Sequence, residues 1–284
     1  MTFFNRKLVS NIIHNGKKFL VSSKYMEGNP TCLTVKTENA EQTFKIKCMT
    51  QFSSCKDVSI DWGDGIQETY EYDDTTRLHD VSHTYSAAGE YDILISNTVS
   101  KLEVVDVSDD YSDDGVKSKY AILKLKQLGS NVKELGEECF LGAANMVEAN
   151  FENSELATIG NSAFNGVALS SVNIPSSVTA VGKDAFANCI NLKSLTIDGK
   201  NIKNFGEGVC KYDYVLKYVD LPYAIDDNAE SAFCCTGAFT PDTVKNPYAA
   251  DLSIPDGWKS IPKSCFAGMP QLSTCVIPNS VTSI

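Results

Sequence analysis

The chain holds three histidines, His14, His79 and His83. His79 and His83 stand four apart, a spacing that lets two imidazoles grip one zinc ion from a helix. The stretch around them reads as loop and strand, where that spacing does not converge, so no zinc site is expected. Asp61 and Asp64 flank Trp62 and Gly63. Two carboxylates in so tight a turn either hold calcium or accept the turn's own N–H groups, and the second use is expected. Asp110-x-Ser112-x-Asp114-Gly115 starts like a calcium loop, but Ala121 stands where the bidentate glutamate is required. No histidine lies beyond residue 83, so a Ser-His-acid or Cys-His arrangement has no base there. Neither a P-loop nor a GxGxxG fingerprint appears. The residues therefore offer no catalytic set, no metal site and no cofactor site. What remains is contact chemistry. Tyr212, Tyr214, Tyr218, Tyr223 and Trp258 crowd one stretch, and such side chains present large area at low entropy cost. Trp258 falls in a slot otherwise held by Val178 and Val281, so it reads either as core or as an exposed platform.

Stepping outward, the elements that must carry these residues follow a repeat. Ile159-Gly-Asn-Ser-Ala-Phe164, Val181-Gly-Lys-Asp-Ala-Phe186 and Ile261-Pro-Lys-Ser-Cys-Phe266 are copies of one phrase. The equivalent anchors are Phe140, Phe164, Phe186, Cys210, Phe233 and Phe266, spaced by 24, 22, 24, 23 and 33. A period in the twenties is the mark of a leucine-rich-repeat solenoid. One unit cannot bury its own apolar face and must stack on its neighbours. The anchors are therefore expected to form a column. The longest spacing holds an insertion near residues 236–250, and insertions emerge as loops on one face of a solenoid. Cys139 and Cys265 replace Ala163 and Ala185 beside the anchor, and Cys210 takes the anchor slot itself. These cysteines, with Cys234 and Cys235 beside another anchor, thus read as small buried hydrophobes in reduced form. The chain ends at Ile284, where the next copy would begin, so either further chain or another subunit is expected to cover that end.

Upstream of the repeats the character changes. Residues 1–29 carry five basic side chains against Glu27 and read as a basic arm. Asn15-Gly16 sits between two short apolar runs, the strongest local signal for a hairpin. Residues 30–98 read as a β-sandwich, with Val35, Phe44 and Ile46 turned inward and strands around Val58–Asp61 and Tyr91–Ile95. Residues 99–120, with the acidic run from Asp106 to Asp114, read as a joint. Residues 121–284 are the solenoid.

Two stretches resemble known families. Asp61-Trp62-Gly-Asp64-Gly, followed by His83-Thr-Tyr85 and Gly89-x-Tyr91-x-Ile93, resembles the PKD-type immunoglobulin-like sandwich. That resemblance implies a non-catalytic spacer or adhesion module. Ile174-Pro-Ser-Ser-Val178-Thr-Ala-Val181-Gly182 and Ile277-Pro-Asn-Ser-Val281-Thr-Ser-Ile284 resemble the BspA-type leucine-rich repeats, over more than half of the chain. That resemblance implies a surface adhesin. The fold expected is mainly β: a PKD-like sandwich, then a leucine-rich-repeat solenoid with short helical turns.

Composition narrows function further. Apolar residues make up 43% and charged residues 21%, as in ordinary folded proteins. The net charge of −11 argues against a nucleic-acid partner, which would call for a basic face. No run approaches the roughly 18 apolar residues of a membrane span, and no apolar segment of a signal peptide follows Arg6-Lys7. The expected role is non-catalytic recognition of carbohydrate or protein on a host surface. Residues 1–29 would tether the chain to an anchor protein. A phage virion, as a head or tail fibre or decoration, is the preferred location, and a bacterial or protist cell surface is the alternative. A scaffold packed on other subunits, including copies of itself, is the further alternative.

Overall fold

A computed structural model describes residues 12–14, 17–19, 29–50, 57–71, 78–105, 118–198, 201–225, 227–236, 250–269 and 272–284. The chain is mainly β. One helix occurs among the described residues, α1 (Ser118–Ala121). β1 (Ile12–His14) and β2 (Lys17–Phe19) pair antiparallel with His14 opposite Lys17, the register of a two-residue hairpin loop. Asn15 and Gly16 lie outside the described residues, as do the acidic run 106–117 and the insertion residues 237–249.

The N-terminal unit is built from β3 (Thr31–Thr37), β4 (Gln42–Thr50), β5 (Asp57–Asp61), β6 (Gln67–Glu71), β7 (His79–Tyr85), β8 (Gly89–Ile95) and β9 (Val99–Val105). They divide between two antiparallel sets, β3-β8-β5-β6 and β9-β4-β7. Side chains alternate across a strand, so Val81, His83 and Tyr85 face inward from β7 while Asp80, Ser82 and Thr84 face water. Val35, Phe44 and Ile46 point inward as the sequence predicts. They join Leu33, Ile60, Trp62 and Ile93 in a single buried cluster fed by both sheets.

The expected joint at 99–120 needs correcting, because it begins with β9. Leu102 and Val104 alternate inward, and Lys101 reaches outward to Glu134 at 2.6 Å. The acidic run after β9 drew the boundary too early. This strand also carries the architecture forward. It is antiparallel to β4 on one side and parallel to β11 (Glu134–Leu135) on the other. β10 (Ile122–Gln127) repeats the device in the second sheet, antiparallel to β3 and parallel to β12 (Glu148–Ala149). Both sheets of the sandwich thus continue into the solenoid. The first coil therefore has no open edge toward the sandwich, which fills the place of a capping repeat. Polar groups fasten the seam: Asn131 donates its backbone N–H to Asn97 Oδ1 at 3.0 Å and its side-chain N–H to the Asn97 carbonyl at 2.6 Å. Gly129 donates its N–H to Thr31 Oγ1 at 2.9 Å.

Beyond the seam, one face continues β11 through the parallel strands β13 (Thr158–Ile159), β15 (Ala180–Val181) and β17 (Asn204–Phe205). Another face carries β14 (Ser171–Ile174), β16 (Ser194–Ile197) and β18 (Tyr218–Val219), then β19 (Ala250–Ser253) paired with β20 (Leu272–Val276). The anchor turns bond from coil to coil as well: Phe140 N–H reaches the Ala163 carbonyl at 2.7 Å, and Phe164 N–H reaches that of Ala185 at 2.8 Å. These turns close by bonds three residues back, as from Ala143 N–H to the Phe140 carbonyl at 3.0 Å. The glycine of the Ile-Gly step is dictated by close approach. A Cβ on Gly160 or Gly182 would lie 2.6 or 2.5 Å from backbone of the preceding coil.

The column of anchors is present. Phe140 stacks on Phe164 at 5.1 Å, Phe164 on Phe186 at 5.2 Å, and Phe233 on Phe266 at 5.7 Å. Between them Cys210 is too small to continue the stack. Phe205, in the slot of Ile159 and Val181, places its ring 5.5 Å from Phe233 instead. A large residue has moved one slot along the coil, which keeps the filled volume roughly constant. Trp258 is fully buried: its indole N–H donates to the Pro222 carbonyl at 2.8 Å and its ring stacks on Phe266 at 6.0 Å. It therefore belongs to the core and leaves the expected binding group. Burial pushes the thiols of Cys139 and Cys265 up to about 12, consistent with inert packing groups. Among the described residues every cysteine is a free thiol.

Candidate functional site

The first sequence-marked group lies at the β5–β6 turn. Asp61 Oδ1 accepts the Gly63 N–H at 2.9 Å, and Asp64 Oδ1 accepts that of Ile66 at 3.1 Å. Asp64 Oδ2 meets His83 Nε2 at 2.8 Å. The Trp62 indole N–H donates to Glu68 Oε2 at 2.8 Å, and Tyr85 O–H donates to the Trp62 carbonyl at 3.0 Å. Trp62 and His83 stack at 5.0 Å, and Tyr85 and Tyr91 at 4.2 Å. Burial raises the Asp61 carboxyl above its ordinary range, with the Gly63 N–H pulling the other way. These bonds run to the turn backbone, to Glu68 and within the group, so that Asp61, Trp62, Asp64, His83 and Tyr85 brace the turn. His79 and His83 lie on one strand, about 13 Å apart at the usual rise per residue, and do not converge.

The second group is the tyrosine coil, and here geometry adds what spacing did not show. Each coil has two left-handed positions, two residues before and two residues after the anchor. The later one is filled by Gly142, Gly166 and Gly268 in three coils, where positive φ carries no steric cost. In the coil anchored by Cys210 it is filled by Tyr212, at φ +68. A bulky residue there is a genuine outlier. The backbone is held by the bond from Tyr212 N–H to the Cys234 carbonyl at 3.0 Å, so the ring stands at the surface. Tyr214 lies 6.2 Å from it, and Lys211 Nζ sits 5.0 Å from the Tyr212 ring centre.

Tyr214 is 64% exposed, and Ile190, in the matching slot one coil earlier, is also 64% exposed. Tyr218 opens β18 beside Ser194 of β16 and is exposed with Val215 and Tyr223. The adjoining face of β14 and β16 is polar. Thr196 O–H donates to Asn173 Oδ1 at 2.7 Å, and Asn173 Nδ2 donates to Asp198 Oδ2 at 2.5 Å. The structure therefore gathers Tyr212 and Tyr214 with Ile190 and Val215 into an aromatic-aliphatic rim. Tyr218 and Tyr223 stand along the same coil, and Trp258 is excluded.

Between the two rim tyrosines lies a residue that the sequence reading missed. Asp213 is fully buried, and its Oδ1 accepts the Cys189 N–H at 2.7 Å. Its Oδ2 has no partner. Burial pushes this carboxyl up to about 9, against the pull of the Cys189 N–H. The signal was available: Asp213 stands three residues after its anchor, where other coils place Ala143, Val167 and Cys189.

The profile described as "BspA type Leucine rich repeat region (6 copies)" matches residues 119–240 and 244–284. The chain belongs to this family. A leucine-rich repeat protein from Bacteroides ovatus, known from a crystal structure, is 18% identical with a TM-score of 0.34. The match covers 65% of this chain and 62% of that one. No curated protein matches the chain. Membership of this repeat family points to non-catalytic binding or adhesion, and its proteins are generally surface-associated.

Proposed function

We propose that this protein is a non-catalytic recognition module at a surface, and that the coil from Lys211 to Tyr223 makes the contact. The observation that carries this reading is the strained, exposed Tyr212 beside Tyr214, at a position that Gly142, Gly166 and Gly268 fill in three other coils. Strained residues persist where the surroundings over-determine them, and they cluster at ligand clamps. Two tyrosines, a neighbouring lysine and an adjoining ladder of hydroxyl and amide groups suit a carbohydrate or a polar protein surface. The N-terminal unit, in this reading a PKD-like module, spaces the solenoid from its anchor. Residues 1–29 would join it to that anchor protein. An extracellular cell surface is the location that fits the repeat family. Nothing in the comparisons supports the virion placement, and it is set aside.

The test is binding of the purified chain to immobilised glycans and immobilised host-surface proteins, followed by the variant Y212A/Y214A/Y218A. At least a tenfold loss of affinity for whichever probe binds, with unchanged thermal melting, is expected. Undiminished binding by that variant would remove the tyrosine coil from the account.

A further inference from the structure

The anchor turn of the next coil ends in two adjacent cysteines, Cys234 and Cys235, each half-buried. Their Sγ atoms lie 3.4 Å apart. Neighbouring side chains ordinarily diverge, and three features bring these two together. Cys235 occupies the left-handed position two residues after the anchor, at φ +58, where Gly142, Gly166 and Gly268 stand in other coils. Its backbone is pinned there by the bond from Cys235 N–H to the Ala267 carbonyl at 2.7 Å. Gly268 of the following coil leaves room for the sulfur, since a Cβ on it would lie 2.7 Å from Cys235 Sγ. On the other side the Cys234 carbonyl accepts the Tyr212 N–H at 3.0 Å. Both neighbouring coils thus hold the pair in place. The other thiols in the anchor turns, Cys139, Cys210 and Cys265, are fully buried, so this pair is set apart from those packing groups.

We propose that Cys234 and Cys235 form a vicinal dithiol site that small disulfides oxidise reversibly to a ring within one dipeptide. The chemistry is thiol–disulfide exchange. One protein thiolate attacks a sulfur of oxidised glutathione and forms a mixed disulfide, releasing the first glutathione thiolate. The second protein thiolate then attacks the protein sulfur of that mixed disulfide. The Cys234–Cys235 bond forms, and the second glutathione leaves. The protein gives up two protons and two electrons, and the oxidant becomes two glutathione thiols.

Adjacent Cα atoms across a trans peptide are about 3.8 Å apart, below the usual disulfide range of roughly 4.4–6.8 Å. The ring is therefore strained and readily reopened, which is the behaviour of labile, regulatory bridges. Burial and the neighbouring Cys235 thiol hold the Cys234 thiol above its ordinary range, and Lys211 works against them. This site does not depend on what the tyrosine coil binds.

The experiment is incubation of the reduced, folded full chain with oxidised glutathione, alkylation of the remaining thiols, and mass mapping of the peptide that spans the pair. In the wild type that peptide should be two hydrogens lighter, unalkylated and free of glutathione, and a thiol reductant should restore it. C234S should instead keep glutathione on Cys235, because no resolving thiol remains. C275S, which removes the exposed cysteine of β20, should close the ring like wild type. A glutathione adduct persisting on Cys234 or Cys235 in the wild type, or both thiols remaining alkylable throughout, would overturn the assignment. Should C234S fold poorly, phenylarsine oxide on the wild type supplies a second readout. It condenses with paired thiols as water leaves, so one equivalent should block alkylation of both cysteines. Failure to block them counts against the site.

Discussion

At the residue scale, two neighbours in one coil, Tyr212 at positive φ and Asp213 with an unpartnered buried oxygen, both cost stability. Tyr212 holds φ +68 where a glycine would be relaxed. Tyr212→Gly is expected to raise stability by about 1 kcal/mol, since left-handed backbone costs roughly that for a residue with a Cβ. A thermal melt reads this as a higher midpoint, and an unchanged or lower midpoint would remove the strain argument. Asp213 makes a pH-dependent contribution whose sign follows from its raised pKa of about 9. In the unfolded chain this carboxyl ionises near its ordinary value of about 4. Between those two values the unfolded chain binds one proton fewer than the folded chain. Stability therefore falls as pH rises through that window, by about 1.4 kcal/mol per unit for this group. Asp213→Asn keeps the acceptor for Cys189 and should flatten the slope in denaturant titrations between pH 5 and pH 8. A slope unaltered by the substitution would contradict it. The sequence marked Tyr212 as a contact residue without showing its strain, and it did not single out Asp213. The left-handed requirement is a property of backbone, visible only once Gly142, Gly166 and Tyr212 are seen to share one position. Asp213 was hidden by the tyrosines on either side, although register alone places it inward.

At the scale of elements, the spine of anchors was readable because phenylalanine recurs at nearly constant spacing, and the rings stack where that spacing puts them. Cys210 looked like a gap in the pattern. The compensation by Phe205 was not readable, because it lies in a different slot and shows itself only through contact with Phe233. The exchange predicts coupling. C210F alone should overpack the coil and cost about 1–3 kcal/mol. F205V alone should leave a hole and also destabilise. The double variant C210F/F205V restores the pattern of the preceding coil, Phe186 with Val181. It should recover at least about 1 kcal/mol relative to the sum of the singles, read by chemical denaturation as a double-mutant cycle. Additive losses would mean that the two positions do not share one volume. Trp258 shows the limit of slot reasoning from the other side. Its position matched Val178 and Val281, which pointed to core, while its size and its tyrosine neighbours pointed to a platform. The bond from its indole to the Pro222 carbonyl explains how so large a polar-tipped ring is buried there.

At the scale of the molecule, the order of units was legible from turn motifs and period, but their connection was not. Sandwich and solenoid read as neighbours across an acidic joint. The structure instead runs β4 into β9 into β11, and β3 into β10 into β12, so that both sheets cross the seam. Backbone pairing between distant segments leaves no trace in local sequence, and the acidic run after Val105 masked the last strand. Continuous sheets predict a single cooperative unfolding unit, with the solenoid fastened to the sandwich through both sheets. The chain's two tryptophans provide the direct test, because Trp62 lies in the sandwich and Trp258 in the solenoid, both fully buried. Guanidinium unfolding followed by fluorescence in the single-tryptophan variants W62F and W258F, each referenced to its own circular dichroism, should show coincident transitions for the two halves. Two separated transitions, with one tryptophan exposed while the other half remains folded, would contradict the continuous-sheet account.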